Sequence, residues 1–199
     1  MRRILLLLAP LLWLAQPAAA GDATLPQAQI ATSLGTITVA LDRARAPATV
    51  DNFIRYAREG HFDGTMVYRV VPHFVIQAGS IEAGGTSRDA HAPIALETAN
   101  GLGNVRGSLA MARSDEPVSA TAEFFINLED NGAGLDPKPG AAPNTTGYAV
   151  FGHVIGGMDV VDKIAAVATG KGKGPFPDAE PVTPVVIEKV TIMDAAAAP

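Results

Sequence analysis

Hydrophobic and polar positions along this chain follow two periods. In residues 36–41, Ile37, Val39 and Leu41 alternate with Thr36, Thr38 and Ala40, the pattern of a half-buried strand. Residues 28–31 precede them across Ser33-Leu34-Gly35, which predicts a β-hairpin. The period then changes. Val50, Phe53, Ile54 and Ala57 fall at i, i+3, i+4 and i+7, the apolar face of a helix over 47–59. Pro47 suits its first turn, and Gly60 suits the position just past its end. Short strand-like runs follow at 66–70, 74–78, 107–112, 124–127, 148–151 and around Val154. A second helix is predicted over 158–168, with Met158, Val161, Ile164, Ala165 and Ala168 facing inward. Residues 185–193 read as a closing strand, with Val186, Glu188, Val190 and Ile192 on one face and Val185, Ile187 and Lys189 on the other. Three Gly- and Pro-rich stretches, 79–104, 131–146 and 170–184, read as loops. Many short strands and two widely separated helices predict a β-barrel or sandwich with helical covers.

The N-terminus changes how the composition is read. Met1-Arg2-Arg3 precedes an apolar run over 4–15, and small residues end at Ala18-Ala19-Ala20. A basic start, a short apolar segment and an A-x-A site form a secretory signal peptide over 1–20. Its removal leaves 179 of the 199 residues, with 13 basic against 20 acidic side chains, a net charge of −7 rather than −5. Residues 21–27 then form a short leader, 28–194 a single domain and 195–199 a frayed tail. The expected location is a bacterial periplasm. An acidic chain argues against nucleic acid and anionic membrane as partners. The chain has no cysteine, which excludes disulfides, thiolate metal sites and a thiol nucleophile.

Candidate chemistries fall away in turn. His61, His73, His91 and His153 show no metal-ligand spacing, so no metal or other cofactor is expected. Residues 101–107, Gly-Leu-Gly-Asn-Val-Arg-Gly, miss the dinucleotide fingerprint by one residue. No G-x-S-x-G occurs, and Ser80 and Ser108 have no evident His and acid partners in the sequence. Asn144-Thr145-Thr146 is a glycosylation sequon, relevant only in a eukaryotic secretory route.

Five ordered motifs remain. They are Tyr68-Arg69-Val70-Val71-Pro72-His73-Phe74-Val75-Ile76-Gln77-Ala78-Gly79, the run 106–113 from Arg106 to Arg113, Ala122-Glu123-Phe124-Phe125-Ile126-Asn127, Tyr148-Ala149-Val150-Phe151-Gly152, and Gly156-Gly157-Met158-Asp159-Val160-Val161. In order and spacing they resemble the cyclophilin family of peptidyl-prolyl cis-trans isomerases, and within it the bacterial periplasmic branch, over 28–190. The resemblance implies a mostly β fold: a closed eight-stranded antiparallel β-barrel capped by two α-helices, with an active groove on its outer face. It implies proline-containing unfolded or extended polypeptides as partners, and a monomer. The runner-up reading is a module that binds proline segments with little turnover. A third is a small-molecule barrel with its ligand inside, which the many large apolar strand residues argue against.

The residue types suit that reaction. Amide resonance sets a barrier of roughly 18–20 kcal/mol to rotation about X–Pro. No bond breaks, so a catalyst needs only to bind the twisted amide better than either planar form. Twisting localises a lone pair on the proline nitrogen, to which a guanidinium can donate. By resemblance Arg69 is that catalytic group, and Val67 and Val71 are expected on its face of the strand. Phe74, Met111, Phe125 and Leu135 are expected to line the proline pocket, with Phe124 facing the interior by strand alternation. Gln77 is expected to bind substrate backbone and hold the arginine; Ala112 and Arg113 offer backbone contacts; Tyr148 stands where many members carry His. Gly134 replaces a common aromatic, Glu123 a common Gln and Val75 a common Met, and the loop over 132–146 is longer than in compact members.

Overall fold

The computed structural model of the chain describes residues 25–193. The expected signal peptide, most of the leader and the tail lie outside the described residues.

Strands β1 (Gln27–Thr32) and β2 (Gly35–Leu41) form the predicted hairpin, with Gln27 opposite Ala40 and Thr32 opposite Gly35. Helix α1 (Pro47–Arg58) follows, its Val50, Phe53 and Ala57 buried and Gly60 left-handed at φ 70° just past its end. Ala46 cannot cap this helix. Glu97 does so from the long loop, accepting from the N–H groups of Ala48 at 3.1 Å and Thr49 at 2.8 Å, where a carboxylate meets the positive end of the helix dipole. Strands β3 (Arg69–Val71), β4 (Val75–Ala78), β5 (Ser108–Met111), β6 (Phe124–Asn127) and β7 (Val150–Gly156) come next, with a one-turn helix α2 (Gly132–Leu135) between the last two. Helix α3 (Met158–Ala165), a two-residue ribbon of β8 (Thr169–Gly170) with β9 (Glu180–Pro181), and β10 (Ile187–Met193) complete the chain.

Eight strands form one antiparallel sheet in the order β10-β1-β2-β7-β5-β6-β4-β3. It is an open, strongly curled half-barrel and not the closed barrel expected. The edge strands β3 and β10 share no ladder. Instead, Ile187 at the start of β10 and the residues before it meet the segment ahead of β3: Gly64 N–H donates to Ile187 C=O at 2.7 Å and Val67 N–H to Val185 C=O at 2.9 Å. Among the described residues there are three α-helices rather than two. The sequence hides α2 because glycine at 132 and 134 disfavours helix; burial of Leu135 and bonds from Gly134 and Leu135 N–H to Asn131 C=O hold the turn. Helix α3 stops short of the predicted 168: Val167 N–H bonds back to Ile164 C=O at 3.2 Å, an i→i−3 bond that tightens the last turn, and Thr169 already belongs to the β8–β9 ribbon.

One expected face assignment fails for a local reason. Ala31 pairs with Lys189 while Thr32 pairs with Ile187, so Glu188 is an extra, bulged residue. A bulge re-aims the strand. Val185, Ile187 and Val190 therefore all enter the core, and Glu188 and Lys189 both face water.

The concave side of the sheet is filled. Phe53 of α1 stacks on Phe62 at 5.2 Å and meets Phe124 edge-on and Phe151 tilted, each at 5.4 Å. The remaining space there is about 20 Å³, far below the roughly 300–1,000 Å³ of a small-molecule pocket. A ligand inside the sheet is excluded. Phe53 is the centre of this cluster, so Phe53→Ala should cost about 3–5 kcal/mol; urea denaturation measures it, and a loss under about 1 kcal/mol would show that the cluster does not depend on this ring.

Candidate active site

The site is a row across the convex face of the sheet. Strand pairing places Arg69 opposite Gln77, Gln77 opposite Phe125, Phe125 opposite Ala110, and Ala110 opposite Val150. Opposed residues share a face, so one transverse line carries the guanidinium, an amide and an aromatic ring. The adjacent row, Val70, Ile76, Ile126 and Leu109, points into the core. Ala110 is small and leaves room for Phe125 beside it.

Arg69 Nη1 donates to Gln77 Oε1 at 3.0 Å, and Gln77 Nε2 donates in turn to the Tyr68 hydroxyl. Burial, and then the charge of Glu123, push the Tyr68 hydroxyl far above the ordinary tyrosine range, so it stays neutral. Phe74, from the β3–β4 turn, lies 5.6 Å from Arg69 Cζ. Phe125 meets Tyr148 edge-on at 5.6 Å, and Leu135 and Val75 complete an apolar patch with them. Together these groups bound a cleft of about 300 Å³.

Arg69, Phe74, Gln77, Ala112, Arg113, Phe125, Leu135 and Tyr148 all line this cleft. Met111 does not. It pairs with Phe124 and points into the core at 2% exposure, because it lies one residue out of phase with Ala110. Val67 also packs in the core rather than beside Arg69, since β3 begins only at Arg69 and the residues before it leave the pleat. Val71 is half-buried and does not line the cleft. Ala112 spends its N–H on Glu123 C=O at 2.8 Å, leaving its carbonyl for a substrate. Arg113 contributes more than backbone: Nε donates to Gly147 C=O at 2.7 Å and its guanidinium lies 5.3 Å from the Tyr148 ring.

Two features were missed from sequence. Phe176, in a stretch read as plain loop, lines the cleft with its ring centroid 4.4 Å from Arg69 Cζ. A buried polar network fixes the walls. Asn131 Nδ2 donates to Phe74 C=O and Asn127 Oδ1, both at 2.8 Å; Asn127 donates to Ser108 Oγ at 2.9 Å and to Asn104; Asn104 donates to Asp136 at 2.8 Å and to Tyr148 C=O at 3.3 Å. Asn127 closes the fourth motif-bearing strand and Asp136 follows Leu135, but only the fold brings the five polar residues together. Ser80 does gain a His partner, His61 Nε2 at 2.9 Å; it is buried and outside the cleft, so this contact is structural.

Comparisons with known proteins identify the family. The family model for cyclophilin type peptidyl-prolyl cis-trans isomerases matches residues 27–192. The chain is 47% identical over 165 residues to the Streptomyces antibioticus peptidyl-prolyl cis-trans isomerase cyp18, covering 83% of this chain and 97% of that one. It is 45% identical to Escherichia coli peptidyl-prolyl cis-trans isomerase B, covering 82% and 97%. A Cryptosporidium parvum cyclophilin type isomerase, solved in the presence of the dipeptide Ala-Pro, superposes with a TM-score of 0.66 at 22% identity, covering 84% of this chain and 98% of that one. The chain belongs to the cyclophilin family, and it is a peptidyl-prolyl cis-trans isomerase.

Glu123 lies beneath the cleft rather than in it. Its Oε1 accepts from Ser80 N–H at 2.7 Å. Burial pushes its carboxyl above the ordinary glutamate range, against the Ser80 and Tyr68 hydrogen bonds that favour the charged form. A raised carboxyl binds more protons folded than unfolded, so stability falls as pH rises from the ordinary glutamate range through the folded value. Glu123→Gln keeps an acceptor for Ser80 and removes that loss. It should melt higher than wild type at about pH 8, with the difference closing near about pH 4. Scanning calorimetry across pH tests this, and a difference independent of pH would refute it.

Proposed function

We propose that the Arg69 cleft is where this isomerase turns X–Pro bonds, acting on proline-containing segments of unfolded or extended exported polypeptides. The carrying observation is a guanidinium held at the edge of an apolar pocket by a neutral amide, with no carboxylate paired to it among the described residues. The proline ring occupies the patch of Phe125, Phe74, Leu135 and Tyr148. Arg69 donates to the prolyl nitrogen once the amide twists out of plane, a charge-assisted bond that the planar amide cannot accept equally. The twisted state therefore gains more than either ground state. Gln77 keeps the guanidinium aimed and the Ala112 carbonyl aligns the residue before proline. The nearby Gly134 is open: nothing lies within 4 Å of a Cβ placed there, so the wall at that end is low and admits chains of varied sequence.

Arg69→Ala should lower kcat/KM on a proline tetrapeptide by about tenfold or more without shifting the melting temperature. A protease-coupled or exchange-NMR assay reads it, and equal rates would remove Arg69 from the mechanism.

The bacterial periplasmic branch and a periplasmic location are part of the same proposal. They rest on the basic, apolar and small-residue pattern of residues 1–20. A monomer without nucleic-acid or membrane partners completes it. Mass spectrometry of the exported protein should place Gly21 at its N-terminus; recovery of the full-length chain in the membrane fraction would overturn the export reading.

A further inference from the structure

We propose that Phe176 is a positioning residue for Arg69: its ring fixes the plane of the guanidinium, and the strap over residues 170–181 exists to hold that ring in place. The proposal rests on the reading of Arg69 as the catalytic group.

Gln77 alone leaves Arg69 free to rotate. A single hydrogen bond at Nη1 fixes one point of a planar group. Guanidinium groups stack on aromatic faces, and the contact sets the plane. Phe176 supplies that second restraint, with its centroid 4.4 Å from Arg69 Cζ, closer than Phe74 at 5.6 Å. The same ring stacks on Tyr68 at 6.2 Å and 14°. Phe176 therefore touches both Arg69 and the phenol that accepts from Gln77. Beyond its contacts with Arg69 and Tyr68, Phe176 joins no apolar packing that would explain it otherwise. It is 39% exposed and belongs to none of the apolar clusters of the described residues.

The strap is built to a fixed shape. Its base is the β8–β9 ribbon, Thr169 opposite Pro181 and Gly170 opposite Glu180. The buried Glu180 carboxylate then turns inward, and Oε2 accepts from Lys173 N–H at 3.1 Å and Gly174 N–H at 2.8 Å. Gly172 must be glycine, because a Cβ there would sit 2.1 Å from Glu180 Cδ. Gly172 N–H closes the loop on Pro177 C=O at 2.8 Å. Pro175 and Pro177 flank Phe176 and restrict its backbone. A loop serving only as a connection would not need a buried carboxylate at its centre.

The test uses residues 21–199 and the proline-tetrapeptide assay, with Arg69→Ala as reference. Phe176→Leu keeps apolar bulk and loses the aromatic face. Its kcat should fall about five- to tenfold, with KM within about twofold and circular dichroism unchanged. Phe176→Tyr should return most of the rate. An independent readout needs no turnover. The sole tryptophan of the chain is Trp13, within residues 1–20, so Phe176→Trp places a unique fluorophore against the guanidinium. Its emission should shift when Arg69→Ala is added. Three results would overturn the proposal: kcat unchanged in Phe176→Leu, a loss confined to KM, or an emission indifferent to Arg69. If Arg69→Ala itself keeps full activity, the Arg69 reading fails first, and the two failures are thereby distinguished.

Discussion

One step along β6 separates the inside of this molecule from its chemistry. Phe124 enters the aromatic cluster on the concave face, and Phe125 stands on the convex face opposite Gln77. Side chains of adjacent strand residues must point to opposite faces, so the register of β4, β5 and β6 sets both faces at once. A slip of one residue would put Phe125 in the core and Phe124 in the cleft, and would carry Arg69 and Gln77 out of line. The curled sheet has no room for a ligand on its concave side, where about 20 Å³ remains. Its chemistry is therefore confined to the outside, on a surface that the core packing holds rigid.

The arrangement around Arg69 follows a second economy. An arginine held by a carboxylate would have its charge partly neutralised and its donors occupied. Here the partners are a neutral amide and two aromatic rings. They set direction and plane without competing for charge. Away from the cleft, Arg45, Arg88 and Arg106 each pair with an acid. The acid nearest to the row, Glu123, is turned down toward Ser80, and burial favours its neutral form. A catalyst that works by hydrogen-bonding a developing lone pair benefits from such a cation, since its electrostatic reach is greatest where no counter-charge answers it.

Much of this was legible in the sequence, and the misses share a cause. The hydrophobic pattern marked the strands of the large sheet, with shifted bounds at β3, and both longer helices, because half-buried strands and amphipathic helices print their burial on neighbouring residues. The five motifs contain Arg69, Phe74, Gln77, Phe125 and Tyr148, which line the cleft together with Leu135 from the loop between them. Met111 was misplaced because its face depends on pairing with Phe124, a contact between strands. The bulge at Glu188 was invisible for the same reason, since an alternating pattern contains no mark for the residue at which it skips. The edge strands fail to close because β3 holds only three residues, a length that periodicity cannot resolve.

Phe176 and the asparagine network show what composition conceals. The Gly and Pro excess reads as looseness, yet the long loops that carry it are pinned by buried polar groups. Asn104 and Asp136 fix the wall bearing Leu135 and Tyr148, and Glu180 fixes the strap bearing Phe176. In each case small residues are what allow the backbone N–H groups to reach a carboxylate. Asp136 lies so close to Gly132 that a Cβ there would sit 2.7 Å from it. Glycine in these loops thus supplies close approach rather than mobility, and the cleft gains walls as fixed as the sheet behind it. A rotation catalyst requires this, because its preference for a twisted amide lasts only as long as the donor and the pocket keep their mutual geometry.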